Sequence, residues 1–241
     1  MSLRAGMCFW TGMIVLGLSA AAAQADTVLL TDDFSGGSLD AGKWTAQVDP
    51  GCSLSVSGGV LHSYFTGANA PRGAYAVSLA LDLPENWTSF QVTGQWAYVT
   101  KVYGEMVFRV SDADATSNYV QAGYKTYQGD AFRRTYTGGN TVDVGRGVPG
   151  TLAQFECTIT PTHWLFRENR GSGWDTLVNL DTTLFSTTDR IQLRIGGWEY
   201  SYTALQHVEV DNIGVSAVPE PATVCLLASG LFGLVMRRSR R

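Results

Sequence analysis

The stretch SFQVTGQWAYV, residues 89–99, alternates apolar and polar side chains over most of its length. In an extended chain one face would carry its apolar residues, which are Phe90, Val92, Trp96 and Tyr98. The opposite face would carry its polar residues, which are Gln91, Thr93 and Gln95. Because successive side chains of a β-strand point to opposite faces of the sheet, the stretch predicts a strand with one buried face, as is typical of antiparallel sheets.

The same alternation recurs along the chain, whereas helical periodicity is almost absent. Three more predicted strands bury the sets Met106, Phe108, Val110; Phe155, Cys157, Ile159; and Ile191, Leu193, Ile195. In YAVSLALDLP, residues 75–84, the predicted inward face carries Tyr75, Val77, Leu79, Leu81 and Leu83. Turns rich in Gly, Ser and Asn separate the strands, as at 57–59 and 138–140. Many short strands with such turns predict one all-β domain, an antiparallel β-sandwich or jelly roll.

The last predicted strand contains an irregularity. In HVEVDNIGV, residues 207–215, the apolar alternation changes phase between Val210 and Ile213. One extra residue in the strand would produce this shift, so we predict a β-bulge at Asp211–Asn212.

Several stretches carry a resemblance to a known fold. TDDFSGGSLDAGKWTAQ (31–47) and SVSGGVLHS (55–63) resemble the first strands of concanavalin A-like lectin/glucanase domains. VFRVSDADATSNYVQAGY (107–124) is similar to their central hairpin, and VEVDNIGV (208–215) to their closing strand. The resemblance implies a concanavalin A-like sandwich over residues 26–217 whose first and last strands are neighbours. Members of this fold include glycosidases and carbohydrate binders, so the fold does not choose between these activities.

The N-terminal residues have the layout of a secretory signal peptide. Arg4 precedes an apolar run over 7–18, and Ala23-Gln24-Ala25 supplies small residues at a cleavage site. This order predicts a signal peptide over 1–25 that signal peptidase removes before Asp26. An uncleaved N-terminal membrane anchor is the alternative.

The chain ends with VPEPATVCLLASGLFGLVMRRSRR, residues 218–241. We expect an apolar transmembrane helix over 222–236 and a basic tail over 237–241, which the positive-inside tendency keeps in the cytoplasm. The basic residues of this tail are Arg237, Arg238, Arg240 and Arg241. As a helix the uncharged core 224–236 would reach about 20 Å, against a bilayer hydrocarbon core of about 30 Å. The segment is therefore short for a permanent anchor.

The order of Val218, Pro219, Glu220 and Pro221, an apolar segment and an arginine cluster resembles the PEP-CTERM sorting signal of Gram-negative bacteria. The resemblance implies recognition by an exosortase, a membrane transpeptidase, and removal of the tail. It also implies transient anchoring in the inner membrane, then delivery to the cell surface or the exopolysaccharide matrix. The two prolines hold the peptide extended and accessible. The alternative is a proline-containing linker followed by an ordinary membrane anchor, which would give the same membrane topology.

The predicted domain is acidic. Residues 26–217 contain 12 Lys and Arg against 20 Asp and Glu, a net charge of −8. Such a surface repels phosphate backbones, so we expect no nucleic-acid partner. Its two cysteines, Cys52 and Cys157, could form a disulfide in an oxidising envelope or remain as buried thiols.

No catalytic site is predicted. Glycoside hydrolysis generally uses two carboxylates, and glucanases of the resembled fold carry the motif E-x-D-x-x-E or E-x-D-x-x-x-E. Glu209 and Asp211 match its first two positions, but no third carboxylate follows. The three histidines, His62, His163 and His207, follow no catalytic or metal-binding pattern and are expected to be ordinary strand or surface residues. We therefore expect no enzyme, with a glycoside hydrolase as the weaker alternative.

Two binding hypotheses remain. Aromatic side chains that follow glycines in predicted loops can pack against the C–H faces of sugar rings. We therefore predict a sugar-binding site that contains Trp174, Trp198, Tyr200 and Tyr202. Packing of these rings in the interior is the alternative. No cofactor is expected: Asp33, Asp211 and Asn212 are interpreted as residues with ordinary turn hydrogen bonds, and a structural calcium ion bound by these three is the alternative. The favoured function is a non-catalytic carbohydrate-binding module of the envelope or exopolysaccharide matrix of a biofilm. The alternative is a structural surface protein without a glycan ligand.

Overall fold

The computed structural model describes residues 26–219 except 68–70, 101–102, 128–129, 140 and 200–202. All regular elements in this part are β-strands and all pairings are antiparallel, which confirms the predicted all-β class. The strands are β1 (Thr27–Asp32), β2 (Trp44–Val48), β3 (Ser53–Ser57), β4 (Val60–Phe65), β5 (Arg72–Ser78), β6 (Leu81–Asp82), β7 (Trp87–Thr100), β8 (Glu105–Asp112), β9 (Tyr119–Lys125), β10 (Ala131–Tyr136), β11 (Val142–Gly145), β12 (Ala153–Thr160), β13 (His163–Asn169), β14 (Trp174–Asp181), β15 (Arg190–Glu199) and β16 (Gln206–Pro219).

The strands form two eight-stranded sheets. Sheet A has the order β14-β13-β12-β7-β16-β4-β3, with β1 also paired to β16. Sheet B has the order β11-β10-β9-β8-β15-β5-β2, with β6 also paired to β15. Their inner faces bury one continuous apolar core, so the molecule is a β-sandwich.

The closing strand β16 organises sheet A. One of its edges pairs with β7 along almost its whole length, and the other pairs first with β4 and then with β1. The first and last strands are therefore neighbours, as the resemblance implies. The pairing of β16 with β7 shifts between Asp211 and Gly214, and Asn212 has a φ of +52°. This confirms the predicted bulge, since asparagine tolerates the left-handed region better than most residues.

The alternating segments bury the side chains that their pattern predicts. The three apolar sets on β8, β12 and β15 are all buried, and Trp44 and Trp96 are only 2% and 1% exposed. The aromatic rings of both sheets pack together in the centre, with ring centroids 5.0–6.0 Å apart. Rings at this distance prefer tilted and edge-to-face arrangements, which most of these pairs adopt.

One buried carboxylate is hydrogen-bonded to residues of both sheets. Glu168 on β13 is fully buried and accepts hydrogen bonds from Trp96 Nε1 at 2.9 Å and from the Tyr124 hydroxyl at 2.8 Å. The oxygen that accepts from Tyr124, Oε2, also forms ion pairs with Arg170 Nε at 2.8 Å and with Arg146 Nη2 at 3.2 Å. Because Trp96 belongs to sheet A and Tyr124 to sheet B, Glu168 connects the two sheets.

The predicted face of β5 is wrong. Ala74, Ala76 and Ser78 point into the core, whereas Tyr75 and Val77 lie on the outer face of sheet B. The strand ends at Ser78, so the expected alternation does not continue through Leu79, which is 43% exposed. Both faces of the segment are apolar, and alternation alone does not show that the small alanines are the ones packed against the large aromatic residues.

The cysteines do not pair. Cys157 is a buried thiol on β12, and Cys52 is a half-buried thiol beside β3. Four strand spacings separate β12 from β3, about 19 Å at about 4.8 Å per strand. A disulfide requires Cα atoms within about 7 Å, so the fold excludes this bond.

The sheet continues past the expected domain boundary. Val218 and Pro219 belong to β16 and pair with Ser89 and Trp87 of β7. No helix within the described ranges has both the length and the apolar character needed to span a membrane. The predicted signal peptide 1–25, the helix 222–236 and the basic tail 237–241 lie outside the described residues.

Replacing the buried carboxylate tests its structural role. We expect Glu168→Ala to lower the free energy of unfolding by about 3–5 kcal/mol, because two arginines and two further donors lose a buried partner. Urea unfolding followed by tryptophan fluorescence measures this change. The control is Asp82→Ala, which breaks an exposed ion pair with Arg190 and should leave the midpoint almost unchanged. Similar midpoints for both variants would contradict this assignment.

The free thiols give a second prediction. Burial raises the pKa of Cys157 to about 12, so in the folded protein it should not react with a thiol reagent at pH 8. Cys52 is half-buried and should react slowly. In denaturant without reductant, mass spectrometry after alkylation should find both residues modified. A peptide pair joining Cys52 to Cys157 would contradict the structure.

Candidate functional site

The outer face of sheet B contains a pocket of about 230 Å³ over its central strands. Strands β5, β8, β9 and β15 supply its walls, which mix aromatic, charged and amide side chains. The lining residues are Tyr75, Glu105, Val107, Arg109, Gln121, Arg194 and Trp198.

Strand register brings these side chains together. On β8 and β15, Glu105 lies opposite Trp198, and Arg109 lies opposite Arg194. Gly196 lies between these pairs, opposite Val107 on one side and Tyr75 on the other. Its φ is +149°, and an added Cβ would lie 2.1 Å from the carbonyl oxygen of Ala74. A residue without a side chain is therefore required beneath the pocket.

Two guanidinium groups dominate the charge of the pocket. Arg109 donates to Gln121 Oε1 at 2.9 and 2.7 Å and lies 4.1 Å from the centre of the Tyr119 ring. Arg194 lies 4.9 Å from the centre of the Tyr75 ring and donates to Gln47. Burial and, second, the positive charge of Arg194 lower the pKa of Arg109. Among the described residues neither guanidinium forms an ion pair with a carboxylate.

Glu105, a carboxylate of the lining, is already neutralised. Glu105 is buried, forms an ion pair with Arg133 and accepts a hydrogen bond from the Trp198 side chain. Burial raises the pKa of Glu105, while Arg133 and this hydrogen bond act in the opposite direction. Arg133 in turn donates to Asp143 at 2.8 Å. Among the described residues the lining therefore holds a single carboxylate, where glycoside hydrolysis generally uses two, and Arg109 and Arg194 leave it positive.

The structure separates the residues of the predicted sugar site. Trp198 lines this pocket, but it belongs to β15 rather than to a loop. Trp174 is 44% exposed at the start of β14, on the outer face of sheet A, where Arg167 lies 5.4 Å from its ring. Tyr200 and Tyr202 lie outside the described residues. The two tryptophans therefore do not form one surface.

The sequence analysis missed the polar half of the pocket. Arg109 lies between the buried Phe108 and Val110, and Arg194 between the buried Leu193 and Ile195. This alternation already indicated that both arginines face outward. Nothing in the linear pattern indicated that they lie opposite each other, because this depends on the register of β8 with β15.

The residues of the calcium hypothesis do come together. Asp33 and Asn212 line one pocket of about 350 Å³. Burial is the main cause that raises the pKa of Asp211, and the charge of Asp33 adds to it. The Asp211 carboxylate accepts hydrogen bonds from the backbone N–H and the side-chain amide of Asn212 at 2.6 and 2.8 Å. Lys43 lines the pocket together with Asp33 and Asn212. Calcium binding stays the alternative to turn hydrogen bonds.

Comparison with known proteins identifies the C-terminal segment. Residues 217–241 match the family model of the PEP-CTERM protein-sorting motif. The motif implies that the chain is an exported substrate of an exosortase, anchored in a membrane and then processed. No curated protein matches the sequence.

Solved structures identify the fold. A pseudo β-1,3-glucanase and immunostimulatory antigen of Mycobacterium tuberculosis matches 79% of this chain and 98% of its own, with a TM-score of 0.59 and 10% identity. The CBM2 module of the evolved Dit of Lactobacillus casei BL23 phage J-1 covers 81% of this chain and 97% of its own chain, with a TM-score of 0.58 and 12% sequence identity. LamAcat from Zobellia galactanivorans covers 78% of this chain and 97% of its own chain, with a TM-score of 0.54 and 11% sequence identity. At this identity the likeness shows the fold alone, and it confirms the lectin/glucanase-type sandwich.

Proposed function

We propose that this protein is a surface or matrix protein whose sandwich binds an acidic polysaccharide without cleaving it. The observation that carries the proposal is the pair Arg109 and Arg194, which share one pocket with aromatic side chains and have no carboxylate partner among the described residues. Signal peptidase would release the chain, an exosortase would remove its tail, and the exopolysaccharide matrix of the cell surface would be its destination.

The lining suits a sugar ring that carries a negative group. Trp198 and Tyr75 offer apolar surface for sugar C–H groups, and Gln121 offers an amide for hydroxyls. A uronate carboxylate or a sulfate can accept paired hydrogen bonds from a guanidinium, which is the geometry that arginine favours. The two arginines therefore favour an acidic ligand over a neutral one.

The acidic surface of the domain is compatible with this ligand. Residues 26–217 carry a net charge of −8, which repels an acidic polymer at long range. Physiological salt limits this repulsion to about 8–10 Å, whereas contact with two partly desolvated guanidinium groups is screened much less. Binding is therefore expected to be local to the pocket.

The fold supports carbohydrate as the ligand class, because the matching structures include a carbohydrate-binding module and glucanase-named proteins. The described part of the lining has one carboxylate, which favours binding over hydrolysis. The absence of polysaccharide binding would favour the structural role instead.

Replacing the arginines tests the ligand class. We expect Arg109→Gln and Arg194→Gln each to weaken binding to polygalacturonate by at least about tenfold, since each removes a charged hydrogen-bond donor. Isothermal titration with the full-length chain in detergent measures this, with the neutral glucan laminarin as the comparison ligand. The matched control is Arg190→Gln, on the same strand but paired with Asp82 and Asp114.

Three results would contradict the proposal. These are equal binding of the acidic and the neutral polymer, an effect of Arg190→Gln as large as that of the pocket arginines, and no binding of several acidic polysaccharides. Release of reducing ends would instead support the glycoside hydrolase alternative.

Changing the motif tests processing in the native host. We expect Glu220→Ala with Pro221→Ala to leave the C-terminal arginine peptide attached, because the exosortase would no longer recognise its substrate. Mass spectrometry of the membrane and extracellular fractions detects this. The control is Pro161→Ala, in the β12–β13 turn of the sandwich. Unchanged processing in the motif variant would favour a proline linker before an ordinary anchor.

A further inference from the structure

Two of the three histidines of the domain lie side by side on the outer face of sheet A. His62 on β4 and His207 on β16 are 145 residues apart, yet their Nδ1 and Nε2 atoms are 3.0 Å apart. Glu209 lies opposite His62 in the strand register and two residues beyond His207. Its Oε1 is 3.6 Å from each of these nitrogen atoms. Three side chains that can bind a metal ion therefore converge.

The distances fit a tetrahedral metal centre. Zn²⁺ binds imidazole nitrogen at about 2.0–2.1 Å and carboxylate oxygen at about 2.0–2.2 Å, so two ligand atoms of a tetrahedral site are about 3.3–3.5 Å apart. The three observed separations of 3.0, 3.6 and 3.6 Å lie on either side of this value. Shifts of a few tenths of an ångström would place all three atoms around one ion.

The surroundings of the histidines orient them for this role. His62 Nε2 is 3.2 Å from the backbone carbonyl oxygen of Ser57, which can only accept a hydrogen bond. Nε2 therefore carries the proton and Nδ1 presents its lone pair to the cluster, as metal-binding histidines commonly do. The ring of Tyr64 stacks on His207 with centroids 4.3 Å apart, and this contact restrains the second imidazole.

We propose that His62 Nδ1, His207 Nε2 and the Glu209 carboxylate bind one Zn²⁺ ion, or a similar late divalent transition metal. The side chains are 14%, 13% and 25% exposed, which leaves a side open for water as the fourth ligand. For binding, His207 carries its proton on Nδ1, so that Nε2 is free. Two imidazole nitrogens disfavour Ca²⁺ and Mg²⁺, which prefer oxygen ligands.

The ion would join two neighbouring strands. One ligand comes from β4 and two from the first half of β16, before the bulge. Since an ion that binds the folded state and not the unfolded chain adds to stability, zinc should raise the unfolding temperature. The pocket with Arg109 and Arg194 lies on sheet B, so polysaccharide binding and zinc binding can fail independently.

Metal titration tests this site. The full-length chain in detergent, freed of metal with a chelator, should bind Zn²⁺ by isothermal titration and give the intense visible absorption of tetrahedral Co²⁺. Its unfolding temperature should rise with Zn²⁺ and not with Mg²⁺. We expect His62→Ala and His207→Ala each to weaken zinc binding by at least about 100-fold and to abolish the Co²⁺ spectrum, since each removes a direct ligand.

The chain supplies a matched control. His163 is the third histidine of the domain and lies on β13 beside the exposed Asp181, so His163→Ala should bind zinc as the unchanged protein does. Glu209→Gln keeps the size of the side chain, so it tests the site even if a histidine variant fails to fold. We expect it to weaken zinc binding by at least about tenfold, since it removes the charge of a ligand. No zinc binding by the unchanged protein, or equal affinity in the His62→Ala, Glu209→Gln and His163→Ala variants, would overturn the assignment.

Discussion

The buried carboxylate of Glu168 connects the two layers of the sandwich through hydrogen bonds to a residue of each sheet. An ionised carboxylate inside an apolar core costs several kcal/mol unless charged and hydrogen-bonding partners surround it. Trp96 and Tyr124 reach it from opposite sheets, and Arg146 and Arg170 balance its charge. Loss of any of these partners would leave the buried carboxylate incompletely paired. The same strand β9 that carries Tyr124 inward carries Gln121 outward into the pocket.

Each outer face of the sandwich then has its own chemistry. On sheet B two guanidinium groups lie over the central strands with aromatic rings beside them, an arrangement suited to an acidic sugar. On sheet A two imidazoles and a carboxylate meet across β4 and β16, an arrangement suited to a transition-metal ion. The core between the sheets leaves neither group in contact with the other, so the two faces can act separately.

The sorting motif begins within the folded body. Val218 and Pro219 pair with β7, and the Thr88 hydroxyl donates to the carbonyl oxygen of Val218 at 3.1 Å. Proline has no N–H to donate, and Pro219 lies where the register of β16 with β7 shifts, at one of the irregularities to which prolines in sheets are largely confined. The first residues of the matched segment 217–241 are thus part of sheet A, and no flexible linker separates the sheet from Pro219.

Short-range patterns in the sequence determined the class of fold, the bulge at Asp211–Asn212 and the sorting motif. The reason is that alternation, phase and a contiguous motif are properties of neighbouring residues. On β5 both faces of the strand are apolar, so the pattern was ambiguous and the prediction that Tyr75 faces the core was wrong. At Trp198 the preceding glycines suggested a loop, and the residue lies in β15 instead. The meeting of Arg109 with Arg194 and of His62 with His207, and the separation of Cys52 from Cys157, were decided only by the tertiary structure. Those distances depend on strand order and register, which hydrogen bonds between remote segments establish.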